Sequence, residues 1–369
     1  MKPRPLKKSV NEQTYTSTDE KLLAGGLDRL LEFQQKGMLR PQSLQLCPED
    51  ACQMDCTFCS TKYRNWEGET IDGRFVPKTE KKTPDYIPFD DINGLMRDLI
   101  RIGPIKTVEL SGAGDPSMYR DRKTGHTINE VIDLLTDHFD LQVGMITNGM
   151  GLTKLVGKEQ LNKLTWLRVS LASFDPQNFH NNNDGMKNHK YQDKFPDLPE
   201  RLKGKLGFSY VWGPHSRPEV LDKIADYAKT NQVDFVRIVP DCLDVEKQHE
   251  FRENVRGMIA DYNKKIGRDV MFFQSKRYDV HSSCRIGFLK PYANADGYLY
   301  HCSAVPLYHQ KFMANWRMGS IKEVDKIWTP ENISKGFNTS SCEYGKCFLA
   351  PQNEILDAVK KQGVHRDFL

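Results

Sequence analysis

From Asp19 to Lys36 the apolar residues Leu22, Leu23, Leu27, Leu30, Leu31 and Phe33 recur near a 3.6-residue period, which predicts a helix with Gly25-Gly26 as a weak point inside it. A short apolar stretch, Ser43 to Leu46, predicts a strand. Thr61 to Phe89 is polar, charged and without period, and reads as a long loop of the kind that often carries function. Beyond it the pattern alternates. Helical periodicity marks Asp90 to Ile102, Ile128 to Phe139, Lys158 to Leu164, Pro218 to Thr230 and Val245 to Ile266. Strands are predicted at Thr107 to Ser111, Leu141 to Thr147, Leu167 to Leu171, Gly207 to Trp212 and Phe235 to Val239, the last stopped by Pro240. Six strands with helices between them argue for a parallel α/β sheet. Six units suggest an incomplete barrel, although an open doubly wound sheet reads similarly. Asn178 to Lys205, with Asn181-Asn182-Asn183-Asp184-Gly185 inside it, reads as a polar loop between the fourth and fifth strands. After about Val270 the alternation stops. The expected division is a helical segment 1–42, a core 43–270 and a second region 271–369.

Composition narrows the class. The 369 residues can bury a sizeable core, as one large domain or two ordinary ones. Mean hydropathy is −0.62, and no apolar run approaches the ~18 residues needed to span a bilayer. Met1 to Lys8 carries Lys2, Arg4, Lys7 and Lys8 with no apolar stretch behind them, so no signal peptide is read and a cytoplasmic location is expected. A net charge of +4 is too small to point to nucleic acid. Nine cysteines without a secretion signal favour metal ligation over a disulfide framework. Seven fall into two groups, leaving Cys47 and Cys242 over.

The first group, Cys52, Cys56 and Cys59, has the spacing C-x3-C-x2-C within Ala51-Cys52-Gln53-Met54-Asp55-Cys56-Thr57-Phe58-Cys59. A four-iron cubane takes four donors, usually thiolates. Three close cysteines on one loop can wrap three irons and leave the fourth open to a small molecule. A zinc knuckle with Cys47 as fourth donor is the competing reading. The run resembles the signature of the radical S-adenosylmethionine (radical SAM) superfamily. That resemblance implies a partial (β/α)6 TIM barrel and a [4Fe-4S] cluster whose open iron is chelated by the methionine amino and carboxylate groups of SAM. It also implies reductive cleavage of SAM to a 5′-deoxyadenosyl radical, and a reducing partner such as flavodoxin or ferredoxin.

In parallel α/β folds the ligand sits at the C-terminal ends of the strands. Ser111-Gly112-Ala113-Gly114-Asp115-Pro116, after the second strand, resembles the superfamily's Gly-Gly-Glu-Pro turn, which contacts the methionine ammonium. Gly112, Ala113, Gly114 and Asp115 are thereby implied in cofactor binding. Ala113 stands where Gly is usual, and Asp115 replaces Glu; backbone acceptors survive both changes, while the shorter acid reaches less far. Asn148 in Thr147-Asn148-Gly149, and Arg168 and Ser170 on the fourth strand, resemble the strand ends that reach the SAM ribose or carboxylate. Phe58 resembles the aromatic beside the adenine. A plain turn and simple packing are the ordinary alternatives for Asn148-Gly149 and Phe58. Period-two alternation adds an independent reading. Glu109 shares a face with Ser111, Arg168 with Ser170, and Arg237 with Phe235 and Val239. If those faces point inward, Glu109 with Arg168 or Arg237 forms an internal polar belt, because buried charges must be paired or bound to a ligand. Tyr63 and Arg237 are the candidate residues at the reacting substrate. Arg64, Tyr210 and Trp212 are further pocket candidates, although aromatic residues on strands more often belong to the core.

The second group is Cys284, Cys302, Cys342 and Cys347. Pro291 to His301, with Asp296-Gly297 at its centre, reads as a β-hairpin that brings Cys284 and Cys302 together, and the later pair can complete four ligands. The spacing Cys284-x12-Gly297-x4-Cys302 resembles the opening shared by the SPASM and twitch extensions of radical SAM enzymes, as do Met318-Gly319-Ser320-Ile321 and Trp328. With four cysteines the match is to the shorter twitch type, which implies one auxiliary [4Fe-4S] cluster in a small hairpin-plus-helix extension. A structural Zn(Cys)4 site is the alternative.

The expected activity is a dehydrogenase-like radical SAM oxidoreductase acting on a small molecule of sugar, aminocyclitol or nucleoside type, with the auxiliary cluster as electron acceptor. It resembles the twitch alcohol dehydrogenases; rearrangement is a branch of the same reading. Two alternatives stand beside it. One is a peptide- or protein-modifying maturase, disfavoured because only 46 residues precede Cys47. The other is a non-catalytic iron–sulfur or zinc-binding protein.

Overall fold

Alternation along the first strand sets the frame. β1 (Ser43–Leu46) buries Leu44 and Leu46 on one face and leaves Ser43 and Gln45 half-buried on the other. The computed structural model describes residues 18–54, 56, 59, 66–71, 74–80, 83–171, 202–213, 216–241, 247–274, 283–303, 316–339, 347 and 349–360. Within the span read as a loop, β2 (Trp66–Ile71) and β3 (Arg74–Glu80) pair antiparallel. The sequence signal for that hairpin is Asp72-Gly73 between Ile71 and Arg74. The strands carry Glu67, Glu69, Lys78 and Glu80 and so show no apolar alternation.

The parallel sheet continues through β4 (Thr107–Leu110), β5 (Gln142–Thr147), β6 (Trp166–Ser170), β7 (Lys205–Trp212), β8 (Phe235–Pro240) and β9 (Met271–Phe273), side by side in chain order. The six predicted strands are all present, and β9 adds a seventh, three residues long. After β10 (Ser283–Cys284), the predicted hairpin forms from β11 (Tyr292–Asn294) and β12 (Tyr298–Tyr300), with Gly297 at φ 80° in its turn. β13 (Arg317–Ser320) pairs with β12, and β14 (Phe337–Asn338) pairs with β10. β11 lies parallel to β1, so the hairpin together with β13 extends the main sheet to ten strands.

The helices behind the sheet follow from their sequences. Phe89–Ile102 turns Ile92, Leu95, Met96 and Leu99 inward, with Asp90 and Asp91 in its first turn and Arg101 in its last. Ile128–Asp133 opens on a capping box of Thr127 and Glu130 and passes into a single π-turn at Leu134–His138, short of the regular helix expected to Phe139. Pro218–Thr230 begins with its proline in the first turn and buries Val220, Leu221, Ile224, Ala225 and Ala228. Tyr210 and Trp212 share their face of β7 with Phe208, whose ring lies 5.2 Å from Tyr227 on this helix. They are core residues on the helix side, which corrects their reading as pocket candidates.

The other face of the sheet is concave. Glu109 and Arg237 stand four strands apart, about 19 Å on a flat sheet at ~4.8 Å per strand. Yet the Arg237 charge acts on the Glu109 carboxylate, as does that of Arg168. Curvature that brings these strands toward one another is the partial barrel. Two glycines make room for its filling. A Cβ at Gly144 would lie 2.0 Å from the Trp166 indole, and one at Gly207 would lie 2.0 Å from the Phe235 ring. Gly144→Ala is expected to destabilise the protein by ~3 kcal/mol or more. Gly94→Ala, in open space on Phe89–Ile102, is expected to stabilise by roughly 0.5–1 kcal/mol. Denaturant midpoints check both.

Candidate functional site

The site is built where three chain segments meet at the C-terminal ends of β1, β4 and β5. The turn after β4 packs directly on the start of the cysteine loop. The Asp115 backbone N–H donates to Ala51 O at 2.7 Å. A Cβ at Gly114 would stand 2.3 Å from Glu49 O and 2.5 Å from Ala51 O. A Cβ at Gly112 would stand 2.4 Å from the Cys47 Cβ. Ala113 is tolerated where glycine is usual in the resembling turn, because its methyl packs in a small core with Cys47, Tyr292, Tyr300 and Trp316.

Cys47 belongs to that core. Its Sγ accepts from the Ala113 N–H at 3.2 Å and donates to Glu49 O at 3.4 Å, and burial pushes its thiol pKa up. These contacts make it a packing residue, which counts against the zinc reading that needs it as fourth ligand. Cys52, Cys56 and Cys59 are half-buried and take part in no disulfide. Among the described residues no three His, Cys, Asp or Glu side chains converge on one metal ion. A cubane differs in that each thiolate binds its own iron. Three half-buried thiols on one loop are a soft donor set suited to such a cluster.

Asp115 is 3% exposed, and its carboxylate is fully engaged inside the protein. It accepts from Ser117 N at 3.0 Å, Ser117 Oγ at 2.7 Å, Thr147 Oγ1 at 2.9 Å and Asn148 N at 2.6 Å. Burial still pushes its pKa up against these donors. Asp115 therefore ties the turn after β4 to the turn after β5. Asn148 reaches back to the cysteine loop, donating to Gln53 Oε1 at 3.0 Å and Cys52 Sγ at 3.4 Å. Gln53, which the sequence reading passed over, donates to Met150 O at 3.0 Å; its one signal was its place beside Cys52.

Below this junction the inner faces carry the predicted polar belt. Gln45, Glu109, Gly144 and Trp166 are in register, as are Ser170, Ser209 and Arg237. Gln45 Nε2 donates to Ser111 Oγ at 2.8 Å, and Ser111 Oγ donates to Glu109 Oε1 at 2.9 Å. Lys290 Nζ lies 3.5 Å from Glu109 Oε2. Burial works to raise the Glu109 pKa, but Lys290, Arg168, the Ser111 hydroxyl and Arg237 together hold it below the usual carboxylate range. Arg168 lies over Trp166, 5.9 Å from the ring centroid, and Ser170 faces Ser209 with 3.4 Å between hydroxyl oxygens. Lys290, from the segment just before β11, was not foreseen; no local pattern distinguishes it from a surface lysine.

The second cysteine group is partly brought together. Cys284 accepts from Asn353 Nδ2 at 3.4 Å, and its thiol is pushed up to about 11 by burial and by the nearness of Cys347. Cys347 Sγ accepts from the Leu349 N–H at 3.2 Å. Cys302 and Phe337 pack against the small core around Cys47, and Phe337 is the β-partner of Cys284. His301, next to Cys302, is 8% exposed, with its ring tilted against that of Phe337 at 4.5 Å between centroids; burial lowers its pKa to about 3, so the imidazole is neutral. These thiols fit a sulfur-rich centre. Phe58, Tyr63, Arg64, Cys242 and Cys342 lie outside the described residues.

No protein-family model matches the chain. One curated relative, the GTP 3′,8-cyclase of Yersinia pestis, is 29% identical over 138 residues, 37% of this chain. The match spans about a third of that protein, 36% of its length. Among solved structures, SuiB of Streptococcus suis bound to its precursor peptide SuiA superposes with a TM-score of 0.54 and 14% identity, over 90% of this chain and 74% of that one. The anSMEcpe protein with bound AdoMet gives a TM-score of 0.52 and 14% identity, over 86% of this chain and 96% of that one. At these identities the likeness is one of fold.

Proposed function

We propose, from the premise that this chain belongs to the radical SAM superfamily by its fold and its cysteine loop, that it is an oxidoreductase acting on a small molecule held inside the partial barrel. One observation carries the reading: a loop with three cysteines outside any disulfide is hydrogen-bonded to the turns after β4 and β5, beside inner strand faces that carry Glu109, Arg168, Arg237 and Ser170. Cys52, Cys56 and Cys59 would hold the SAM-binding cluster, and Cys284, Cys302, Cys342 and Cys347 an auxiliary one. With SAM bound, the first cluster would supply the electron that splits SAM into methionine and a 5′-deoxyadenosyl radical able to take hydrogen from an unactivated carbon, and the second would supply a one-electron sink.

The chain's own residues do the rest. The turn Gly112-Ala113-Gly114 would offer backbone acceptors to the methionine ammonium, its two glycines letting it pack closely on residues 47–51 at the start of the cysteine loop. Ser170 offers a hydroxyl at the end of β6. Glu109 stays ionised at neutral pH and fixes the electrostatics of the interior. Arg237, in register with Ser209, would bind and orient substrate. Trp166 and Phe235 fill the space over Gly144 and Gly207 and exclude water there.

Anaerobic reconstitution followed by assay for 5′-deoxyadenosine tests the core of the proposal. A reduced, iron-loaded protein that leaves SAM uncleaved refutes it. For the interior, Arg237→Lys is expected to lower product formation by roughly tenfold or more, because an ammonium cannot reproduce the planar fork of a guanidinium. Unchanged turnover and SAM affinity would remove Arg237 from the site.

A peptide substrate is the second reading. It draws on the two fold neighbours described above, since SuiB is bound to a precursor peptide and anSMEcpe is also known with AdoMet and the Cp18Cys peptide, at a TM-score of 0.52. Mass spectrometry of products from small-molecule and peptide libraries separates the two.

A further inference from the structure

We propose that Asn148 tunes the reduction potential of the cluster held by Cys52, Cys56 and Cys59, by aiming a side-chain N–H at the Cys52 sulfur. The inference rests on the reading of that loop as a cluster site.

The geometry defines the donor. An asparagine amide can be turned either way round, and only its hydrogen bonds decide which end faces which partner. Here Asn148 Oδ1 accepts from the Met150 backbone N–H at 2.7 Å, so the oxygen end is assigned by a group that can only donate. The NH2 end then has two hydrogens, placed for Gln53 Oε1 at 3.0 Å and Cys52 Sγ at 3.4 Å. Gln53 is oriented in the same way. Its NH2 donates to Met150 O at 3.0 Å, which leaves its oxygen to accept from Asn148. The Asn148 backbone N–H is held by Asp115 Oδ2 at 2.6 Å. The side chain is therefore pinned at its root by Asp115 and at its tip by Met150 and Gln53. The N–H toward Cys52 is a fixed donor. A second donor, the Met54 backbone N–H, lies 3.5 Å from the same sulfur.

A hydrogen bond to a cluster sulfur favours the more negative, reduced state and raises the potential. Asn148 is a positioning residue in this scheme, acting through Cys52. A merely structural role would hold the loop without moving the potential, and this difference is measurable. The test is a redox titration of the reconstituted protein without SAM, following the EPR signal that changes when SAM is afterwards added. That response identifies the cluster of the first loop. In Asn148→Ala the ratio of reduced to oxidised cluster at the wild-type midpoint is expected to fall about tenfold, ~59 mV for one electron. Asn148→Asp, the same shape with an acceptor in place of the donor, is expected to fall further. Gln53→Ala loses the clamp to Met150 but keeps the N–H at Cys52, and is expected to stay within about twofold of wild type. Iron per chain should be unchanged in all three. If Asn148→Ala loses iron, the isosteric Asn148→Asp carries the comparison.

Wild-type midpoints in both Asn148 variants would overturn the proposal. So would a shift in Gln53→Ala as large as that in Asn148→Ala, because loop position would then explain the effect. A wild-type protein that takes up no iron overturns the functional reading and this inference with it; normal cluster assembly with an unmoved potential overturns this inference only.

Discussion

Replacing any one of Cys52, Cys56 or Cys59 with alanine is expected to abolish SAM cleavage while the protein stays folded. In the proposed cluster each thiolate would serve a different iron, so no remaining ligand could substitute for the lost one. The loss should exceed the ~100-fold that removal of an outer-shell partner costs. Iron should fall from roughly eight per chain to about four, the remainder belonging to the second cysteine group. Folding should survive, because the three thiols are half-buried and the loop stays anchored through Ala51 and Gln53 to the neighbouring turns. Cys284→Ala gives the complementary pattern: iron is lost, but SAM cleavage without substrate turnover continues. Iron analysis beside a 5′-deoxyadenosine assay reads both. Retention of full iron and activity in a Cys52, Cys56 or Cys59 variant would remove the basis of the functional reading. Zinc in oxygen-free wild-type protein would do the same.

Asp115→Ala is expected to have the largest effect of any substitution that touches no cysteine. The carboxylate serves two backbone N–H groups and two hydroxyls in a place where it is 3% exposed. Truncation leaves those donors buried without their acceptor, at about 3–5 kcal/mol. It also unties the turn after β4 from the turn after β5, so SAM affinity should fall together with the melting temperature. Asp115→Glu discriminates between two roles. If the acid only touched the cofactor, restoring the longer side chain of the resembling turn would leave stability alone. If it is the tie described here, an added methylene in a filled site destabilises by roughly 1–3 kcal/mol. Thermal melts with and without SAM distinguish the two.

The Asp115 case shows where reading a chain ends. The turn Ser111-Gly112-Ala113-Gly114-Asp115-Pro116 is visible as a motif because its glycines and proline are local conformational requirements. That its acid points at Thr147 and Asn148, more than thirty residues on, depends on β4 and β5 being neighbours. The inward charges were more legible. Alternation puts Glu109, Arg168 and Arg237 on the faces of Ser111, Ser170 and Val239, and period two is a property of any strand. Lys290 was invisible for the opposite reason, since it lies before β11 and only the parallel pairing of β11 with β1 carries it to Glu109. The β2–β3 hairpin was missed because its strands hold charges where alternation expects apolar residues.

Taken by itself, the order of residues determined the six βα units, the hairpin around Gly297 and both groups of cysteines. Each of these is encoded in short-range spacing: a backbone period, a turn preference or the reach of one loop. The folded chain decided that Cys47 is packing, that Tyr210 and Trp212 face the helices, that Asp115 joins two turns, and that Asn148 addresses a cysteine from another strand. Those facts depend on which strands lie side by side and how sharply the sheet curves, and long-range contact is set by burial of the whole apolar surface rather than by any local run of sequence.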